Sequence, residues 1–272
     1  MKNKLFLRIL RIFNIFLISI ITFVLVFFIN GGIEKIFVND EINDFISRGV
    51  YEKTLIIHGQ NVDVHKVSPL YDYEDISRPT FRIVEYNEYY TEYYIGSLAD
   101  ITLTSRNPLR LIEYPMIKKT AGFFANNFYI GHATLNSTEI GDYYIESVGN
   151  NVVYGVVESI NTWFETEVRK GDDTNRIIGL RVKNTTSEDR EKIVSEARSK
   201  IGLEYNMNFF ISHPNKYYCT DLITRIYEQY GYDINYDGFF SIGNDMILSK
   251  NTYLIFYIDR VSSDKFNIYY LG

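Results

Sequence analysis

The sequence predicts a mixed α+β fold, with a mostly antiparallel sheet and packed helices, preceded by a transmembrane helix and a small appendage. Three observations predict it. Residues 12–29 are apolar except for Asn14, Ser19 and Thr22. From Gly96 onward, short segments with strand-type alternation follow one another. After residue 187, two segments switch to helical spacing.

The apolar run is about 18 residues long, near the length that spans the bilayer hydrocarbon. Lys2, Lys4, Arg8 and Arg11 precede it, and Asn30-Gly31-Gly32-Ile33-Glu34 follow without an Ala-x-Ala-like cleavage site. The run is long for the core of a signal peptide. It therefore reads as an uncleaved signal anchor whose basic side faces the cytoplasm. The expected location is a single-pass protein of the cell membrane, with everything beyond about residue 33 extracytoplasmic. The chain has 28 Lys and Arg against 34 Asp and Glu. The four basic groups before the run leave the remainder with about ten more acids than bases, which argues against nucleic acid as a partner.

Residues 34–50 carry Ile36, Phe37, Ile42, Phe45 and Ile46 and read as a short amphipathic helix ended by Arg48-Gly49. Residues 54–58 and 62–67 flank Gly59-Gln60-Asn61 as a hairpin. The acidic stretch 71–79 reads as a connector, and 86–94 has no clear assignment. These residues, 31–94, form the expected membrane-proximal appendage, and 95–272 the main domain. Within the latter, 100–104, 128–135, 143–148, 152–157, 177–182 and 254–258 read as strands. Ser187-Glu188-Asp189 opens a helix with an N-terminal hydroxyl and acids in the first turn. Ile193, Val194, Ala197 and Ile201 give that helix its apolar face, and Gly202 ends it. Leu222, Ile223, Ile226, Tyr227 and Tyr230 mark a second helix over 219–230, stopped by Gly231.

The chain has one cysteine, Cys219, at the predicted start of that second helix. A lone thiol forms no internal disulfide, so in an extracytoplasmic domain its role is either packing or chemistry. A helix N-terminus favours the thiolate, and the same N–H groups favour a developing oxyanion. The base such a thiol needs is a histidine, and all four precede it. His58 and His65 fall in the appendage hairpin and read as surface residues. His213 sits before Pro214 in a polar loop, a poor mount for a base. His132 shares a strand face with Phe128, Ile130 and Thr134. Closing 128–135 and 143–148 through the loop 136–142 sets residue 135 against 143 and His132 against Glu146. A carboxylate there holds one ring nitrogen and leaves the other for Cys219. A slip of one residue would break this arrangement.

Gly131-His132-Ala133, Tyr144-Ile145-Glu146-Ser147, Ile201-Gly202-Leu203-Glu204-Tyr205-Asn206 and Tyr218-Cys219-Thr220-Asp221-Leu222, in this order, resemble the circularly permuted NlpC-type papain-like hydrolases. The YiiX/YebB-like branch is the nearest. The resemblance covers roughly residues 95–260 and implies a permuted papain-like domain. It implies Cys219 as nucleophile, His132 as base and Glu146 as the group that orients the histidine. Tyr205, matching a Gly-x-x-Tyr pattern, and Tyr218 would line the substrate and oxyanion site. Thr220-Asp221 stand where the family often has Ser-Glu, and Leu203-Glu204 replace a Lys-Pro-like pair.

The implied reaction is thiol hydrolysis of an amide, in a peptide or a cell-wall stem peptide, through an acyl-enzyme and without a cofactor. Permuted relatives that act on lipid acyl groups keep a lipid acyl hydrolase or acyltransferase open. A non-catalytic envelope-binding module with an inert Cys219 is the other alternative. A metal enzyme would need His132, Glu146 and Cys219 to converge as ligands. The expected partners are thus a peptide, cell-wall or lipid acyl substrate, and a membrane through the N-terminal helix.

Overall fold

In the computed structural model the described residues are 2–57, 59–87, 90–105, 114–116, 119–120, 122–123, 129, 131–149, 154–162, 176–208, 212–238, 241–262 and 265–272; at 2–5, 23, 24, 27, 28, 86, 87 and 90 the backbone alone is described.

The chain starts with α1 (Lys2–Ser47), a single helix of 46 residues. The expected break between the apolar run and the helix of residues 34–50 is absent. Each glycine of the Gly31-Gly32 pair costs a helix only about 1 kcal/mol, too little to interrupt one whose far half is held by the burial of Val38, Ile42 and Phe45. The two halves differ in surroundings. Val38, Ile42 and Phe45 are buried in the body of the protein. Phe6, Ile9, Ile12, Phe13, Ile15, Phe16, Ile18 and Ile29 are exposed. Among the described residues no helix is long and apolar enough to cross a membrane. The side chains of Phe23, Val24, Phe27 and Phe28, which belong to the apolar run, lie outside that description.

A hairpin follows, β1 (Gly49–Ile57) and β2 (Gln60–Val67), turning through Gly59 at φ +79°. It does not stand apart. β2 runs parallel to the last strand, β13 (Lys265–Leu271), and extends the main sheet. Residues 86, 87 and 90–94 of the unassigned stretch belong to a separate two-stranded ribbon, β3 (Phe81–Asn87) with β4 (Tyr90–Ile95).

The remaining strands are β5 (Ile101–Thr104), β6 (His132–Asn136), β7 (Tyr143–Gly149), β8 (Tyr154–Ile160), β9 (Ile177–Val182), the short β10 (Glu204–Tyr205) and β11 (Lys216–Tyr217), and β12 (Thr252–Ser262). Among the described residues β10 and β11 pair with each other apart from the rest, and the others join β1, β2 and β13 in a nine-stranded sheet in the order β1-β2-β13-β12-β9-β5-β6-β7-β8. Within the nine-stranded sheet every pairing but β2 with β13 is antiparallel. β12 reaches four residues past the expected strand end, and β13 was not anticipated. Gly179 is required where β9 meets the ring of Phe256, since a Cβ there would lie 2.0 Å from a ring carbon.

Among the described residues three shorter helices cover the sheet. α2 (Ser187–Ser199) is capped one residue earlier than expected, by Thr186, whose hydroxyl accepts from the Asp189 N–H while Asp189 accepts from the Thr186 N–H. α3 (Cys219–Gln229) begins at the cysteine. Its Thr220, Ile223, Thr224 and Ile226 are modest helix formers, costing up to about 0.7 kcal/mol each. Burial of Leu222, Ile223, Ile226 and Tyr227 outweighs that at about 1.5–3 kcal/mol per side chain. α4 (Gly243–Leu248) packs against α1.

Asp100, fully buried ahead of β5, ties these layers together. Its carboxylate accepts from Arg181 Nε and Nη2 at 2.9 and 2.7 Å, from Arg78 at 3.1 Å and from the Ser97 N–H at 2.7 Å. Burial opposes its charge, but the two arginines hold its pKa below the usual carboxylate range. Asp100→Ala leaves Arg181 buried and uncompensated. The expected cost is about 3–5 kcal/mol, read as a lower urea midpoint for the full chain in detergent.

Candidate active site

The site lies where the N-terminus of α3 meets the faces of β6 and β7. β6 pairs with β7 so that Thr134 opposes Glu146, Leu135 opposes Ile145 and Asn136 opposes Tyr144. The expected pairing of His132 with Glu146 is therefore displaced by two residues. A displacement of two preserves the face, because side chains alternate with a period of two. His132 and Glu146 become diagonal neighbours, a separation that long side chains bridge. His132 Nε2 and Glu146 Oε2 lie 2.5 Å apart. The second oxygen of Glu146 accepts from the Ser159 hydroxyl at 3.2 Å. Phe128 and Ile130, expected on the same face as His132, lie outside the described residues, as does His58.

With Nε2 committed to Glu146, the other ring nitrogen is left for Cys219, and His132 is hydrogen-bonded to that thiol as well. Burial alone would lower the histidine's pKa. The bonds to Cys219 and Glu146 outweigh it and raise the pKa from 6.5 to about 10. The ring is thus an imidazolium at neutral pH, bracketed by sulfur and carboxylate.

Cys219 is half-buried at the first position of α3. The intrahelical ladder starts with the Leu222 N–H on the Tyr218 carbonyl. N–H groups ahead of it have no acceptor within the helix, so Cys219 sits at the positive end of the helix dipole. The segment around Ser241 clamps this end. Thr220 Oγ1 donates to the Ser241 carbonyl at 2.6 Å, Thr224 and Ser241 hydroxyls meet at 2.6 Å, and the Ser241 N–H donates to Tyr218 Oη at 3.1 Å. From the sheet side, Ser147 Oγ donates to the Tyr217 carbonyl at 2.6 Å.

Tyr205 is half-buried on β10, which pairs in parallel with β11 and so lies beside Tyr217. Its ring packs on Gly149, where a Cβ would stand 2.7 Å from a ring carbon. Burial first, then the charges of Cys219 and Tyr218, push its phenol up. Tyr218 is buried with its hydroxyl engaged by Ser241, so it faces the clamp. Asp221, in the same first turn, is pushed up to about 6 by burial, against the pull of Arg225 at 3.4 Å.

The other histidines stand elsewhere. His65 stacks on Tyr269 at 4.5 Å, in the sheet extension. His213 is exposed, and its Nδ1 accepts from the Asn215 N–H at 3.2 Å. Among the described residues the group able to offer three metal-type ligands is not His132, Glu146 and Cys219. It is Glu34, Asp237 and Asp245, whose ligand atoms lie within 4.8 Å of one another at the α1–α4 junction. Burial, reinforced by Asp237 and Glu34, pushes Asp245 up to about 8, against the hydrogen bond it accepts from the Ile242 N–H at 2.9 Å. Sequence reasoning missed Ser159 and Ser241. Alternation along β8 was the one available signal for Ser159, and nothing local marks Ser241.

The family model described as permuted papain-like amidase enzyme, YaeF/YiiX, C92 family, matches residues 142–265. The match includes Glu146, Tyr205, Tyr218 and Cys219, starts downstream of His132, and supports a circularly permuted papain-like family. No curated protein and no solved structure matches the chain.

The geometry sets an expectation for pH. The His132 ring should titrate near pH 10 in a histidine NMR titration of the full chain. Glu146→Gln removes one of the two groups that raise its pKa, so the midpoint should fall. An unchanged midpoint would mean that the carboxylate does not act on the ring.

Proposed function

We propose that this circularly permuted papain-like cysteine hydrolase cleaves an amide bond of a peptide, such as a cell-wall stem peptide, while held at a membrane by α1. The observation that carries the chemistry is His132 hydrogen-bonded to both Cys219 at a helix N-terminus and Glu146 on the next strand.

The Cys219 thiolate attacks the amide carbon, forming a C–S bond and an oxyanion. N–H groups at the head of α3, including that of Cys219, stabilise the oxyanion. His132 gives its proton to the amide nitrogen as the C–N bond breaks, and the amine leaves. A water molecule then loses a proton to His132 and attacks the thioester. Collapse releases the carboxylic acid and restores the thiolate beside the imidazolium. Glu146 keeps the ring oriented and offsets its charge. Tyr205 lines the approach to the thiol, and Tyr218 supports the helix end on which the oxyanion develops.

The membrane reading rests on the exposed apolar surface of α1 between Ile12 and Ile29, where the charged residues that precede it, Lys2, Lys4, Arg8 and Arg11, are all basic. Water would leave that surface uncovered, whereas lipid covers it. The basic end then lies in the cytoplasm and the sheet domain outside.

Two experiments test these readings. Iodoacetamide should alkylate Cys219 at neutral pH, and His132→Ala should slow that reaction by about tenfold or more. Equal rates in the two proteins would point to an inert thiol and a binding module. Phe16→Lys with Ile20→Lys places two charges mid-run, each costing about 2.5–3.5 kcal/mol in a spanning helix. The pair should move the protein from the membrane to the soluble fraction, and retention at the membrane would defeat the anchor.

A further inference from the structure

The strands next to His132 carry a third polar group in line with the pair. β7 pairs with β8 so that Glu146 opposes Val157 and Tyr144 opposes Ser159. His132, Glu146 and Ser159 therefore climb the same sheet face in two equal diagonal steps, each one strand across and two residues along. The first step is the 2.5 Å contact between His132 Nε2 and Glu146 Oε2. The second is the 3.2 Å hydrogen bond from Ser159 Oγ to Glu146 Oε1. The neighbours of Ser159 do different work. Glu158, on the opposite face, is bound to Arg198 at 2.9 Å.

Glutamate reaches His132 through three rotatable torsions, and a carboxylate held by one oxygen still pivots about that contact. A donor on the second oxygen removes the pivot.

We propose that Ser159 is a positioning residue for the reaction: its hydroxyl fixes the Glu146 carboxylate, which in turn holds the His132 ring toward Cys219. The proposal rests on the reading of Cys219 and His132 as a nucleophile–base pair. Ser159 itself touches neither sulfur nor substrate. Its effect is transmitted through two hydrogen bonds, and it acts on the orientation and proton affinity of the ring.

The test compares Ser159→Thr with Ser159→Val in the full chain in detergent. These two variants share a shape and differ in the hydroxyl, so packing effects cancel between them. Iodoacetamide alkylation of Cys219 at neutral pH and the NMR titration of His132 are followed, with His132→Ala as reference and thermal melting to monitor the fold. The threonine variant should behave as the wild type. The valine variant should alkylate up to about tenfold more slowly, the scale of one hydrogen bond to a charged group, and titrate at lower pH. Identical alkylation and titration in the two variants, with His132→Ala still slow, would overturn the role of Ser159 and leave the pair intact. Wild-type alkylation in His132→Ala would overturn the pair itself, and the proposal with it.

Discussion

A buried carboxylate, that of Asp100, is the constraint on which the arrangement of the sheet depends. A charge without exposure must be matched inside the protein. Arg181 matches it from β9 and Arg78 from the connector before β3. The same short segment bonds β6 through the Asn136 N–H on the Asp100 carbonyl and the Ala99 N–H on the Asn136 carbonyl, at 2.8 Å each. It also receives the Tyr227 hydroxyl of α3 on the Ala99 carbonyl. One node therefore fixes β5, β6, β9 and α3 relative to one another. His132 rides on β6 and Cys219 on α3, so the distance between them is inherited from this node.

The candidate site was legible to the extent that its chemistry needs scarce residues. One cysteine at a helix start and four histidines upstream of it leave few combinations. Alternation then placed His132 and Glu146 on one face, and period two is why a register displaced by two residues still delivered the contact. The same displacement by one would have turned Glu146 away. What the sequence could not express was the second layer of support. Ser159 and Ser241 are ordinary residues whose partners lie far along the chain, Glu146 for one and the Tyr218–Thr224 turn for the other. Such contacts appear only once the topology is known.

The fold was legible in its helices and in its antiparallel strands, and less so in its edges. The 49–67 hairpin has the local marks of a self-contained unit. Its inclusion in the main sheet depends on a parallel partner, β13, from the other end of the chain. No local pattern announces a pairing of that separation. The unbroken course of α1 through Gly31 and Gly32 has a related cause: Gly31 is buried, while Gly32 has no neighbour within 4 Å of where a Cβ would stand. Glycine there weakens a helix without stopping one, and packing of Val38, Ile42 and Phe45 stabilises its far half.

That continuity sets a length scale. Between Ile29 and Ser47 the helix advances about 27 Å at about 1.5 Å per residue, and its last turns are seated in the body rather than hinged to it. With α1 inserted as proposed, it is a strut instead of a tether. A tethered hydrolase sweeps a volume and meets its target at any altitude its leash permits. A strut holds the thiol at one altitude and one tilt, so bonds are chosen by how far they stand from the bilayer as well as by their chemistry.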